Sequence, residues 1–153
     1  MARTKCGFEN GPQVSGQDLL VTWGPTLLVN IGFDPNFNPD LPGFIPTPGI
    51  TDVQALVDTG AGESCIDSLL AAQLKLPVVD RVQISGVGGA HVVNVHLAQV
   101  HIPALGFTVY GPFAAVHLAE GAQVHSVLIG RTFLQHFTMV YEGRTGTVTI
   151  HNE

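Results

Sequence analysis

At 153 residues the chain can bury the core of a single domain, and its 45% apolar and 12% charged content is the reverse of the balance that disorder requires. The formal net charge is −6, and the six Lys and Arg are scattered, so no basic stripe exists to follow a phosphate backbone and nucleic acid is an excluded partner. No apolar run reaches membrane-spanning length, which argues against a membrane as partner.

The 18 Gly and 10 Pro, with many Val, Ile and Thr, favour short strands joined by tight turns. Cys6 and Cys65 are too few for a disulfide framework. Cys65 reads as a small packed residue rather than a nucleophile, because no His or basic side chain is near it in sequence. Met1 to Gly7 has no apolar segment of the secretory kind. The expectation is a soluble, cytoplasmic protein or one domain of a longer one.

In chain order, residues 1–18 are polar and Gly-rich and read as an N-terminal arm leading into a domain over 19–153. Leu19–Thr22 is expected as a first strand, broken by Trp23-Gly24-Pro25, and Thr26–Gly32 as a second. The run from Asp34 to Gly49 carries five Pro, too many for a helix or an inner strand. It reads as an inserted surface loop; alternatively Phe37, Phe44 and Ile45 pack on a partner or beside a cleft. Thr51–Val57 is expected as a strand and Ser64–Ile66 as a short one. Asp67-Ser68 reads as the cap of a helix to about Leu76, with Leu69, Leu70, Ala72 and Leu74 facing the core. Val78–Ile84 and His91–Ile102 form a hairpin, and Phe107–Leu118 is a strand pair or one strand broken at Gly111-Pro112. Val124–Ile129 leads to a helical turn at Thr132–His136. Thr138–Tyr141 and Thr147–Ile150 make a last hairpin.

The stretch that carries chemistry is Ala55-Leu56-Val57-Asp58-Thr59-Gly60-Ala61. An apolar run drives into Asp58, and Thr59-Gly60 turns the chain, with Gly60 free to adopt a backbone shape other residues avoid. A carboxylate at the mouth of a buried strand is costly unless it is hydrogen-bonded or shares a proton. Asp58 could equally just close a turn. Two later stretches bear on that choice. Ile84-Ser85-Gly86-Val87-Gly88-Gly89-Ala90 is a glycine-rich tip between strand-like runs, and Leu128-Ile129-Gly130-Arg131-Thr132-Phe133-Leu134 is an apolar run, a Gly, an Arg and a helix-like tail.

In this order and spacing the three stretches resemble the retropepsin family, the single-domain aspartic proteases of retroviral type. The resemblance runs from about Leu19 to Ile150 and implies an all-β, closed β-barrel with one short C-terminal helix and a flap hairpin. It implies an aspartic endopeptidase with no metal or cofactor, in which Asp58 is catalytic and Thr59 links the two turns across a dimer axis. Gly60 and Ala61 then line the substrate site. Val87 is the flap-tip residue, reaching the substrate through a water, and Ser85, Gly86, Gly88 and Gly89 complete the flap. Ile84 and Leu128 are pocket walls. Gly130 and Arg131 are structural, with Arg131 bracing the dimer.

Hydrolysis by carboxylates needs two of them, one to take a proton from water and one to donate to the scissile carbonyl oxygen. None of Asp18, Asp34, Asp40, Asp52, Asp67 and Asp80 is followed by Thr-Gly or Ser-Gly. A catalytic Asp58 therefore requires Asp58 of a second copy, and the active form is a homodimer with its site on the two-fold axis and a peptide or protein as substrate.

The chain also departs from the family. Gly62 and Glu63 follow Ala61 where an Asp is usual, and Gly24 replaces an N-terminal Arg, which leaves Glu63 as a candidate partner for Arg131. The final hairpin either joins an intersubunit sheet or closes the monomer. His91, His96 and His101 are spaced by five, so consecutive members point to opposite strand faces and the outer two lie roughly 30 Å apart, which disfavours a metal site. The alternative function is a catalytically silent or self-processing dimerisation or peptide-binding module on the same fold.

Overall fold

The computed structural model describes residues 1–86, 89–119 and 123–153. Strand β1 (Arg3–Lys5) is followed by helix α1 (Gly16–Trp23), β2 (Thr26–Gly32), β3 (Ile50–Val57), β4 (Cys65–Asp67) and α2 (Ser68–Gln73). Then come β5 (Val78–Gly86), β6 (Gly89–Ile102), β7 (Phe107–Val116), β8 (Val127–Ile129), α3 (Arg131–Leu134), β9 (Thr138–Glu142) and β10 (Thr147–His151). No helix among the described residues is long and apolar enough to cross a membrane.

The strands alternate as a half-buried sheet must. On β2, Leu27, Val29 and Ile31 point inward while Leu28 is exposed; on β3, Val53, Ala55 and Val57 point inward. The order β2-β3-β8-β4-β7-β6, with a further β2–β6 pairing, closes six strands into a barrel. Burying each of these side chains contributes about 1.5–3 kcal/mol, so the inward face is what fixes register. The fold is thus the closed β-barrel expected. Among the described residues β5 pairs only with β6, and it extends off the barrel as a hairpin, in register from Val78↔His96 to Gly86↔Gly89.

A second sheet, β1-β10-β9, closes within the chain. Arg3–Lys5 pairs antiparallel with Thr149–His151, and Cys6 is buried beyond it, so part of the expected lead-in is structural. The final hairpin closes the monomer by pairing with β1.

Two local expectations fail. Leu19–Thr22 is helical, inside α1. Ser15 caps that helix by accepting the Asp18 backbone N–H at 3.1 Å, and Gly24, at φ +73, ends it by donating to Leu20 O. Ser-x-x-Asp before an apolar run is a helix-start signal, and it outweighs the β-propensity of a four-residue window. In α2, capped by Asp67 as expected, the helix stops at Gln73, short of Leu76, and Leu70 and Ala71 are buried while Leu69 and Ala72 face outward.

The 34–49 loop is anchored at both ends. Asp34 accepts the N–H groups of Asn36 and Thr47, Gln99 bonds both the N–H and the carbonyl of Asp34, and Gly49 donates to Ile31 O. Phe37 packs edge-on against Phe44 and against Tyr110 of β7.

Candidate active site

Asp58 follows the last residue of β3. Its backbone N–H donates to Ile129 O, while Val57 donates to Pro25 O, so the carboxylate-bearing residue hangs between β8 and the start of β2. β3 and β8 run parallel, with Ala55↔Val127, Leu56↔Leu128 and Val57↔Ile129 in register, so the end of one strand sets the height of the other. The half-buried Asp58 accepts the Gly60 N–H on Oδ1 at 2.8 Å, and Ala61 N–H donates to Asp58 O at 3.2 Å. The turn is a tight Asx-type fold.

Gly60 does not take a left-handed backbone; it supplies room, since a Cβ there would lie 3.1 Å from Asp58 Oδ1. Gly130 matters more. A Cβ on it would sit 2.8 Å from both Ala61 O and Glu63 O, so only Gly lets the strand β8 exit press against the turn. That contact is sealed by Arg131 N–H to Ala61 O at 2.8 Å and Thr132 N–H to Gly62 O at 3.0 Å. The Arg131 guanidinium donates to Thr59 O at 2.8 Å. Among the described residues it makes no ion pair with Glu63; the brace is to a backbone carbonyl of its own chain.

The structure therefore brings Asp58, Thr59, Gly60, Ala61, Leu128, Gly130 and Arg131 together. Ile84, Ser85, Gly86 and Gly89 sit at the far end of the β5–β6 hairpin, where Ile84 faces His91 and Gly89 has φ +102. Val87 and Gly88 lie outside the described residues. Ile84 lines a cavity of about 360 Å³ with His91, Val93, Val116 and His117.

Ser64 is a site residue that sequence reasoning misses. Its hydroxyl is buried and accepts the Gly130 N–H at 3.1 Å. Nothing in sequence announces this, because the partner is 66 residues away.

The other reactive side chains are occupied or muted. Burial pushes the Cys6 thiol up to about 12. Burial, then the charges of Glu63 and Asp58, raise that of Cys65, so neither is a ready nucleophile. His96 bonds Leu76 O, His101 bonds Thr108, and His125 bridges Thr26 and Gln123. Burial lowers the pKa of both His101 and His125. Among the described residues no three His, Cys, Asp or Glu converge as metal ligands.

The barrel thus carries one Asp-Thr-Gly turn, clamped from behind by Gly130 and Arg131. The family model described as gag-polyprotein putative aspartyl protease matches residues 49–136, from the start of β3 past α3, and the chain belongs to that family. Similar solved structures include the EIAV protease complexed with the inhibitor HBY-793, 22% identical, covering 72% of this chain and 85% of that one at a TM-score of 0.46. The solution structure of Simian Foamy Virus (mac) protease is 14% identical, covering 72% and 91% at the same TM-score of 0.46. No curated protein sequence matches the chain significantly.

Proposed function

We propose that the chain is an aspartic endopeptidase that works as a homodimer, with Asp58 of each copy forming one catalytic pair. The observation that carries this reading is the Asp58 turn itself. Among the described residues its carboxylate accepts one hydrogen bond, from Gly60, on a backbone fixed by Ile129, Ala61 and Arg131, and Asp58 is half-buried, so it is positioned yet open to a reactant.

Two carboxylates about 3 Å apart cannot both ionise and share one proton, as is general for aspartic proteases. The ionised one takes a proton from a water whose oxygen attacks the scissile carbonyl carbon. The protonated one donates to the carbonyl oxygen. Collapse of the tetrahedral intermediate breaks the C–N bond, and the amine leaves with a proton returned by the pair. The β5–β6 hairpin acts as a flap, Ile84 to Ala90, closing over an extended substrate. Ile84 and Leu128 favour apolar side chains beside the cut, and Arg131 keeps the Thr59 carbonyl, hence the turn, in place.

The test is cleavage of a peptide library from pH 3 to 8 at high protein concentration, comparing the native chain with Asp58→Asn. The expected result is a rate that peaks at mildly acidic pH, rises with dimer concentration and falls about a thousandfold or more in Asp58→Asn. Cleavage that persists in Asp58→Asn overturns the reading. So does a dimer that binds peptides and cuts none, which would assign the fold to a binding module.

A further inference from the structure

Among the described residues, β7 has one edge without a partner strand over most of its length. β6 pairs with it from Phe107 to Ala114, but on the other side β4 reaches only Ala114–Val116. The direction of the backbone groups on 107–113 follows from a single bond. Leu97 stands opposite Pro112, and its N–H donates away from β7, to Pro77 O. Leu97↔Pro112 is therefore a pair without mutual hydrogen bonds, as Pro requires. Antiparallel pairs alternate, so Gln99↔Tyr110 and His101↔Thr108 are of the same kind. The backbone N–H and C=O of Thr108 and Tyr110 then point to the open side.

That open edge lines two adjoining cavities. On one face the 34–49 loop arches over β7 and encloses about 610 Å³, walled by Phe37, Leu41, Phe44, Ile45 and Tyr110. On the α3 side this space adjoins a smaller cavity of about 290 Å³, walled by Val109, Thr132 and Phe133 and sharing Phe107, Thr108, Tyr110 and His136 with the first. Neither wall contains an Asp, Glu, Lys or Arg. The larger one has the size of a ligand site, and Tyr110 is 54% exposed beside it, so the loop does not seal the edge.

We infer that this edge is a second peptide-docking site, where an extended, uncharged and largely apolar segment adds as a strand beside Phe107–Gly111. Its main chain bonds Thr108 and Tyr110, and its alternate side chains enter the two cavities. The occupant is a segment of the polypeptide substrate distant from the scissile bond; this rests on the endopeptidase reading, which already demands an extended polypeptide. A net charge of −6 disfavours an acidic segment. α3 connects the two sites: its first residue, Arg131, holds the Asp58 turn, and its next two line the smaller cavity. Pro112 ends the usable edge, since it offers no N–H.

The first measurement is amide exchange and ¹H–¹⁵N spectra of the full chain carrying Asp58→Asn, with the probe Ac-Ser-Leu-Thr-Phe-Ser-Leu-Thr-NH2 and its backbone N-methylated form. In the free protein the amides of Thr108 and Tyr110 should exchange at least about tenfold faster than that of Val109. The plain probe should slow them and shift Phe44 and His136; the N-methylated probe should not. The second measurement uses the native chain and a cleavable peptide from the library, with and without the probe sequence joined through a flexible linker. The joined form should show a KM about tenfold lower, and Phe44→Ala should return the ratio of the two KM values towards one.

Thr108 and Tyr110 amides that are already protected overturn the proposal, as do shifts unaffected by N-methylation. Protection that appears with protein concentration alone overturns it in favour of a second copy pairing at this edge. Peptide cleavage with no response at β7 sinks this site and leaves the endopeptidase standing. A response at β7 without any cleavage sinks the endopeptidase, and with it the identity of the occupant as substrate.

Discussion

The two ends of β3 are held in different ways. Beyond its C-terminal end, the Asp58 turn is fixed mostly by backbone: Ile129 O, Ala61 O and Gly62 O accept from the turn or from the segment clamping it, and Gly130 lets the two chains touch, with the Arg131 and Ser64 side chains in support. Before its N-terminal end, the 34–49 loop has a backbone anchor at Gly49 and is otherwise fixed mostly by side chains: the Asp34 carboxylate, the Gln99 amide and the Phe37 ring. Backbone anchoring places a group without depending on any rotamer or ionisation state. Side-chain anchoring leaves a segment free to respond to pH and substitution. A catalytic carboxylate needs the first kind, and an adaptable docking surface is compatible with the second.

Gly130→Ala should break the backbone-held end most severely. A methyl 2.8 Å from two carbonyl oxygens forces the clamp apart, for a loss of about 2–3 kcal/mol in urea unfolding and a larger proportional loss of peptidase rate. Ser64→Ala should follow at about 1–2 kcal/mol, since it leaves the buried Gly130 N–H without an acceptor. At the other end, Gln99→Leu should cost about 1 kcal/mol, because the Asp34 N–H it abandons is only partly buried and can turn to water. It should leave cleavage of short peptides unchanged. If Gln99→Leu slowed that cleavage as much as Ser64→Ala does, the two ends of β3 would not be mechanically separate.

The same division explains what the sequence reveals. The strands are legible because their inward faces repeat at every second residue, as in Leu27, Val29 and Ile31, and the Asp-Thr-Gly and Gly-Arg stretches are legible because backbone constraints leave few residue choices. α1 is misread because a four-residue run, Leu19 to Thr22, fits either period, and only the Ser15–Asp18 cap separates them. The Arg131 contact within the chain goes unread because sequence shows charges and not carbonyls, and the acceptor is Thr59 O. Ser64 and the open edge of β7 are invisible for a different reason. Both depend on partners, or on the lack of them, that exist only once distant strands have met.

Ionisation offers the mildest way to separate the two ends. The N–H groups of Thr47 and then Asn36 hold the Asp34 carboxyl below its ordinary range. A carboxyl depressed in the folded state contributes stability that is complete above its unfolded value of about 3.9 and is lost as pH falls through the folded value. The 34–49 loop should therefore loosen below about pH 4. The buried imidazoles of His101 and His125 act in a higher window: their depressed values mean that folding is favoured fully above about 6.5 and less so as pH falls below it. The Thr47 and Asn36 amides, followed by NMR from pH 7 to 3, should stay protected to about pH 4 and then exchange faster. Asp34→Asn should abolish the step near pH 4 and keep the broad change below 6.5. A loop whose amides respond only in the histidine window would mean that Asp34 does not anchor it, and that the ring packing of Phe37 on Tyr110 does.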